Sequence, residues 1–182
     1  MTVAIRPETP DDAAAVREIH AGAFGDDLVP RLVDQLRLRP AALPPSGYVA
    51  VVDGALAGHV LLTHSWLDAP RKLVDVLVLS PLGVLPQHQR RGLGTLLVAK
   101  AIEAADQSGA PLLFLEGDPA YYRERGFQPG GPLGFRKPSL RIPDAAFQVV
   151  KLSAYEPWMT GTVVYAETFW ALDCVGLRDP QA

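Results

Sequence analysis

The 182-residue sequence has a single cysteine, Cys174. One thiol forms no internal disulfide and offers no zinc-ligand spacing, so neither a disulfide framework nor a structural zinc is available to this fold. A nucleophilic role for it lacks an identifiable His or Asn partner. A reducing compartment is the plain expectation. Long apolar runs are missing as well. None approaches the ~20 residues of a membrane span, and Met1–Asp12 has no apolar signal core, so a cytoplasmic protein without a membrane partner is expected. Charge of one sign is also missing. The net charge of −3 gives no general attraction to nucleic acid. Repeats, low-complexity tracts and linkers are absent too, and the length suits one domain, residues 1–182, with a full hydrophobic core.

The residues that are present alternate between the two common periodicities. Val3 to Arg6 reads as a first strand. Thr9-Pro10-Asp11-Asp12 is a helix-start signal. Val16, Ile19, Ala23 and Phe24 then fall at helical spacing, and Leu28, Leu32 and Leu36 repeat the pattern up to Leu38. Tyr48–Val52 and Leu56–Leu67 read as strands joined by an Asp53-Gly54 hairpin turn. Val74–Leu85 is a long strand region interrupted by Ser80-Pro81, where a bulge or splayed edge is expected. The next helix has one face formed by Leu93, Leu96, Leu97, Ala101, Ala104 and Ala105, and Gly109 closes it. Leu112–Leu115 is a short apolar strand, and Ala120–Arg125 a short helix ended by Gly126. Phe127 starts an extended piece, and Phe147–Leu152 is a late strand. Gly161–Tyr165 looks extended, and Ala166–Val175 is helix or loop.

Leu82-Gly83-Val84 runs into a basic, glycine-containing turn, Gln89-Arg90-Arg91-Gly92-Leu93-Gly94-Thr95, which opens the helix. Such a turn can wrap a pyrophosphate in backbone N–H groups, and the helix dipole favours the same anion. A P-loop is excluded because no Lys directly follows either glycine. A dinucleotide fingerprint is excluded because Leu97 stands where its third glycine belongs. The pattern left is Gln-x-x-Gly-x-Gly. An ordinary strand–turn–helix connection, with glycines serving only geometry, is the competing explanation.

The pattern resembles the acyl-CoA pyrophosphate turn of the GNAT superfamily of N-acetyltransferases. Asp118-Pro119-Ala120-Tyr121-Tyr122-Arg123-Glu124-Arg125-Gly126-Phe127, one helix and one strand downstream, resembles that family's tyrosine helix. Ile5-Arg6-Pro7 and the strand–helix–helix–hairpin run behind it are also similar. The likeness covers about residues 3–152. Glu116–Tyr122 and the tail Gly161–Tyr165 look most like the bacterial YhbS-like branch, with 153–182 as a family-like C-terminal extension. The fold implied is mixed α/β (α+β): a mostly antiparallel central sheet with splayed middle strands, flanked by helices. Where that family often carries an Asn that contacts pantetheine, this chain has Asp118.

The resemblance implies acetyl-CoA as co-substrate and no metal. Leu82, Gly83 and Val84 would pair with the pantetheine arm. Gln89, Arg90, Arg91, Gly92, Leu93, Gly94 and Thr95 would hold the pyrophosphate. Tyr122 would be the general acid for the leaving thiolate; the competing use is a core tyrosine. Glu116 is the candidate base, with helix-start electrostatics or a solvated loop carboxylate as its plain alternative. Asp75 and His88 are weaker candidates, and His20, His59 and His64 are expected on surfaces or strand edges. The acceptor would be a small-molecule or peptide amine, in a site drawn from Phe24–Leu38, Trp66, Trp158, Tyr165, Phe169 and Trp170. Core packing or a homodimer contact is the other use of these aromatics. A catalytically silent acyl-CoA sensor is the alternative function. A nucleic-acid reading of Arg90, Arg91, Arg123 and Arg125 is opposed by the net charge.

Overall fold

In the computed structural model, which describes residues 1–181, the chain separates into two compact units. One comprises 1–63 and 79–104, the other 64–78 and 105–182.

The first unit opens with β1 (Val3–Pro7), α1 (Ala13–Phe24) and α2 (Leu28–Arg37). β2 (Ser46–Val52) lies antiparallel to β1, with Ile5 opposite Ala50. β3 (Ala55–Asp68) follows after Asp53-Gly54, both at positive φ as the hairpin turn requires. It pairs antiparallel with β2, with Tyr48 opposite Val60. β4 (Leu73–Val84) runs through Ser80-Pro81, whose peptide is cis, and enters this unit at Leu79. α3 (Leu93–Gln107) buries Leu93, Leu97, Val98 and Ala101. Leu96, expected on that face, is 45% exposed. α1 buries Val16 and Ile19, and α2 buries Leu32, Val33 and Leu36. At roughly 1.5–3 kcal/mol for each large apolar side chain removed from water, these faces hold the helices in place.

The second unit contains β5 (Leu112–Glu116), α4 (Pro119–Arg123), β6 (Gln128–Pro129), β7 (Phe135–Arg136), β8 (Phe147–Lys151), β9 (Gly161–Val164) and α5 (Glu167–Ala171). β8 pairs antiparallel with β5 and with β6, and β9 antiparallel with β3 at Trp66–Asp68. The parallel pairings are short: Leu77–Val78 of β4 with Leu113–Phe114 of β5, and β7 with β9. The sheet is therefore mixed and mostly antiparallel, as expected. Phe114 stacks on Phe147 at 5.6 Å and meets Phe135 edge-on at 5.2 Å. All three tryptophans, Trp66, Trp158 and Trp170, belong to this unit. Among the described residues no helix is long and apolar enough to cross a membrane.

Candidate active site

The turn between β4 and α3 is built by backbone. Gln89 directs its side-chain amide back to the Val84 carbonyl at 3.0 Å, which closes the turn on the end of β4. Arg90 and Gly92 both have positive φ, 59° and 82°. A Cβ on Gly92 would meet nothing within 4 Å, so conformation, not space, selects glycine here. The first bond of α3 runs from the Leu96 N–H to the Gly92 carbonyl. The N–H groups of Leu93 and Gly94 precede it and have no intrahelical acceptor. Buried Leu93 and Leu97 fix the helix start, while Gln89 to Gly92 are exposed. No acidic side chain occurs between Leu85 and Thr95. The result is a positive, anion-seeking end of a 15-residue helix.

Gly83 of β4 is buried, and a Cβ there would lie 2.7 Å from His20 Nδ1. His20 and His59 are fully buried and His64 is buried too, a correction to the expected place of all three on surfaces or strand edges. His20 Nε2 lies 2.8 Å from His59 Nδ1, and His59 Nε2 lies 3.1 Å from Glu8 Oε2. Glu8 is also ion-paired with Arg37. Burial and the neighbouring charges of His59 and Arg37 push His20 down to about 3. Burial likewise lowers His59, against the opposing pull of Glu8.

In the second unit, Asp118 caps α4 by accepting the Ala120 N–H at 2.8 Å. The Tyr122 ring lies where a Cβ on Gly117 would be, with its nearest atom 2.4 Å from that position. It meets Tyr121 edge-on at 4.9 Å and Phe127 at 5.6 Å. Burial raises its phenol well above the ordinary value, so the hydroxyl stays protonated. Arg125 stacks over Tyr121, 3.5 Å from the ring centre. Glu116 ends β5 and accepts the Gly176 N–H at 3.1 Å. Burial raises its carboxyl, while the Gly176 bond and Arg141 oppose the rise.

The sequence model of the acetyltransferase (GNAT) family matches residues 13–127. The chain belongs to the GNAT family. It is 30% identical over 160 residues to the uncharacterized N-acetyltransferase YjhQ of Escherichia coli (strain K12), covering 86% of this chain and 88% of that one. Among solved structures, GNAT-family YhbS of Escherichia coli in complex with CoA is 28% identical, with a TM-score of 0.79 over 92% of this chain and 91% of that chain. A GNAT-family acetyltransferase of Brucella melitensis in complex with acetyl-CoA is also 28% identical, with a TM-score of 0.73 over 92% and 98%.

In this GNAT chain the first unit collects every residue expected to contact the cofactor, from Leu82 to Thr95. The second holds Tyr122 and Glu116. Of the tail aromatics, Tyr165 and Phe169 are buried with ring centres 5.5 Å apart, which makes them core. Trp158 donates to Glu156 and carries Arg71 over its ring. Trp170 is exposed. The His20–His59–Glu8 array was missed in the sequence. Its one signal was that His20 lies four residues after Val16 and next to Ile19, on the buried stripe of α1.

Proposed function

We propose that this GNAT enzyme transfers the acetyl group of acetyl-CoA to a primary amine by direct attack, with residues 1–182 as one catalytic domain and 153–182 as its extension. The observation that carries the reading is the start of α3: N–H groups ahead of the first helical bond, two exposed arginines, Arg90 and Arg91, and no acidic residue between Leu85 and Thr95. The residues fit a pyrophosphate. The relatives solved with CoA and with acetyl-CoA support the same ligand. In this reading Leu82, Gly83 and Val84 align the pantetheine arm along β4, and a backbone N–H of that stretch steadies the oxyanion formed on attack.

Tyr122 gives its hydroxyl proton to the thiolate as the carbon–sulfur bond breaks. Glu116 is the candidate base from sequence. Burial makes it more basic than an ordinary carboxylate, but one of its oxygens is committed to Gly176.

Calorimetric titration with acetyl-CoA, followed by a primary-amine screen, tests the reading. Saturable binding and release of free CoA with one of the amines are expected. Tyr122→Phe should bind acetyl-CoA normally and transfer about a hundredfold more slowly. Binding with no transfer to any amine would leave an acyl-CoA sensor, and no binding by the folded protein would end both readings.

A further inference from the structure

The second unit contains a cavity of about 710 Å³ that none of the residues assigned to acetyl transfer lines. Its size is that of a small-molecule site, roughly 300–1,000 Å³. The walls come from the stretch between β6 and β8, with Thr162 of β9. Phe135 and Phe147, each 2% exposed, form the floor. Phe147 is rooted in the core: it stacks on Phe114, and a Cβ on Gly130 would lie 2.6 Å from its ring. Pro129 and Pro132 add apolar wall. Leu140 stands at the rim and is 93% exposed, more than any other large apolar side chain among the described residues. The loop that carries it is braced. Lys137 Nζ reaches across its base to the Ile142 carbonyl at 2.5 Å and to Asp144 Oδ1 at 2.6 Å, and the Arg141 N–H donates to Ser139 Oγ at 3.2 Å. A leucine is thus held out at the edge of an apolar hollow.

Three charged side chains line the cavity, and two of them cancel: Lys137 is paired with Asp144. The third is Arg136. It stands opposite Thr162 in the β7–β9 pairing, and its Nε donates to Thr162 Oγ1 at 2.9 Å. That bond orients the guanidinium. Its Nη1 and Nη2 have no hydrogen-bond or ion-pair partner among the described residues. An arginine on an open surface is satisfied by water. This one is oriented by a strand neighbour at the wall of a cavity whose floor is two phenylalanines.

We propose that the cavity binds a small molecule with an apolar body and a single carboxylate. The body lies on the Phe135–Phe147 floor beside Leu140. The carboxylate takes the two Nη groups of Arg136, a bidentate pairing for which the planar fork is shaped. Charge selects the class. One unmatched cation suits a monoanion, a phosphate dianion would find only half of its charge answered, and an amine would meet Arg136 with no free carboxylate beside it. The inference stands apart from the acyl-CoA reading, since it uses none of Leu82–Thr95, Tyr122 or Glu116.

Naphthalene-1-acetate and octanoate serve as probes, with naphthalene-1-acetamide as a partner of the same shape without the charge. Calorimetric titration of the full-length protein should show one saturable site for each carboxylate, and the amide should bind about tenfold more weakly or worse. In NMR spectra, naphthalene-1-acetate should shift the Arg136 Nε–H and the amide signals of Phe135 and Phe147. Arg136→Gln should weaken naphthalene-1-acetate about tenfold or more, and Leu140→Ser severalfold. Both side chains are exposed, so urea midpoints should match wild type and separate a lost site from a lost fold. Saturating acetyl-CoA should leave the probe bound. A folded wild-type protein that binds neither carboxylate overturns the proposal. Equal affinity for acid and amide, or an Arg136→Gln variant that binds as wild type does, also overturns it. Displacement of the probe by acetyl-CoA would give the cation to the cofactor and overturn it too. None of these outcomes removes the acyl-CoA reading, which titration with acetyl-CoA alone decides.

Discussion

Two polar regions of the molecule, each organised around a glycine of positive φ, end in opposite states. At the α3 turn, Gly92 sits in the open, with no atom within 4 Å of a would-be Cβ, and the backbone N–H groups after it precede the first helical bond. At the tail of the second unit, Gly176 has φ 61°. A Cβ there would lie 2.8 Å from the Arg141 carbonyl carbon. Its N–H donates to Glu116, and Arg141 in turn donates to the Val175 carbonyl and accepts from Leu177. The first region has donors to offer a ligand. The second has matched its donors and acceptors to one another and so holds the tail in place. The same residue type, with the same backbone sign, serves recognition in one place and cohesion in the other.

The largest test of that contrast is a pair of variants at Gly92. Gly92→Glu sets a carboxylate against the pyrophosphate, and acetyl-CoA affinity measured by calorimetry should drop by about a hundredfold or more. Gly92→Ala carries the same backbone strain, about 1 kcal/mol of stability, without the charge, and should keep most of the affinity. Equal losses in both would assign the effect to the backbone and erase the distinction. At the other region, Gly176→Ala adds a crowded methyl to the unfavourable φ. Urea denaturation should show a loss of about 2–3 kcal/mol, with acetyl-CoA binding unchanged once the protein is folded.

The smallest effect is expected at Glu116. Its carboxyl is raised above the ordinary 4.5 in the folded protein, so the folded state holds this proton more tightly than the unfolded chain. Stability from this group is complete below the ordinary value and declines as pH rises through the folded value. Glu116→Gln cannot ionise and should flatten that decline. Urea midpoints taken at an acidic and at a near-neutral pH will show it. Acetyl transfer measured in the same variant tests the candidate base: its loss with stability intact would make the tail corner catalytic and break the comparison.

The turn, as a connection from β4 into α3, was legible because its residues are contiguous: seven neighbours, Gln89 to Thr95, carry the glycine spacing. Most elements followed from periodicity, which buried side chains obey in α1, α2 and α3. The segment 130–146 was not legible. Its pieces are a three-residue turn of 3-10 helix, Gly131–Leu133, and a two-residue strand, Phe135–Arg136. Both are too short to show a period, and Pro and Gly surround them. The histidine array escaped for another reason. Glu8, His20, His59 and Gly83 are scattered along the chain, and β3 is buried continuously from Ala57 to Ser65. A strand covered on both faces shows no alternation, so nothing in its pattern marks His59 as interior. Glu116 and Gly176 lie sixty residues apart, beyond the reach of any local rule.

The placement of the tryptophans has a practical consequence. Since the indoles all reside in the second unit, intrinsic tryptophan fluorescence is a one-sided optical reporter. A melting curve recorded that way follows the unit with the tail. Events at the α3 turn call for an indole introduced on that side, or for a probe carried by the ligand.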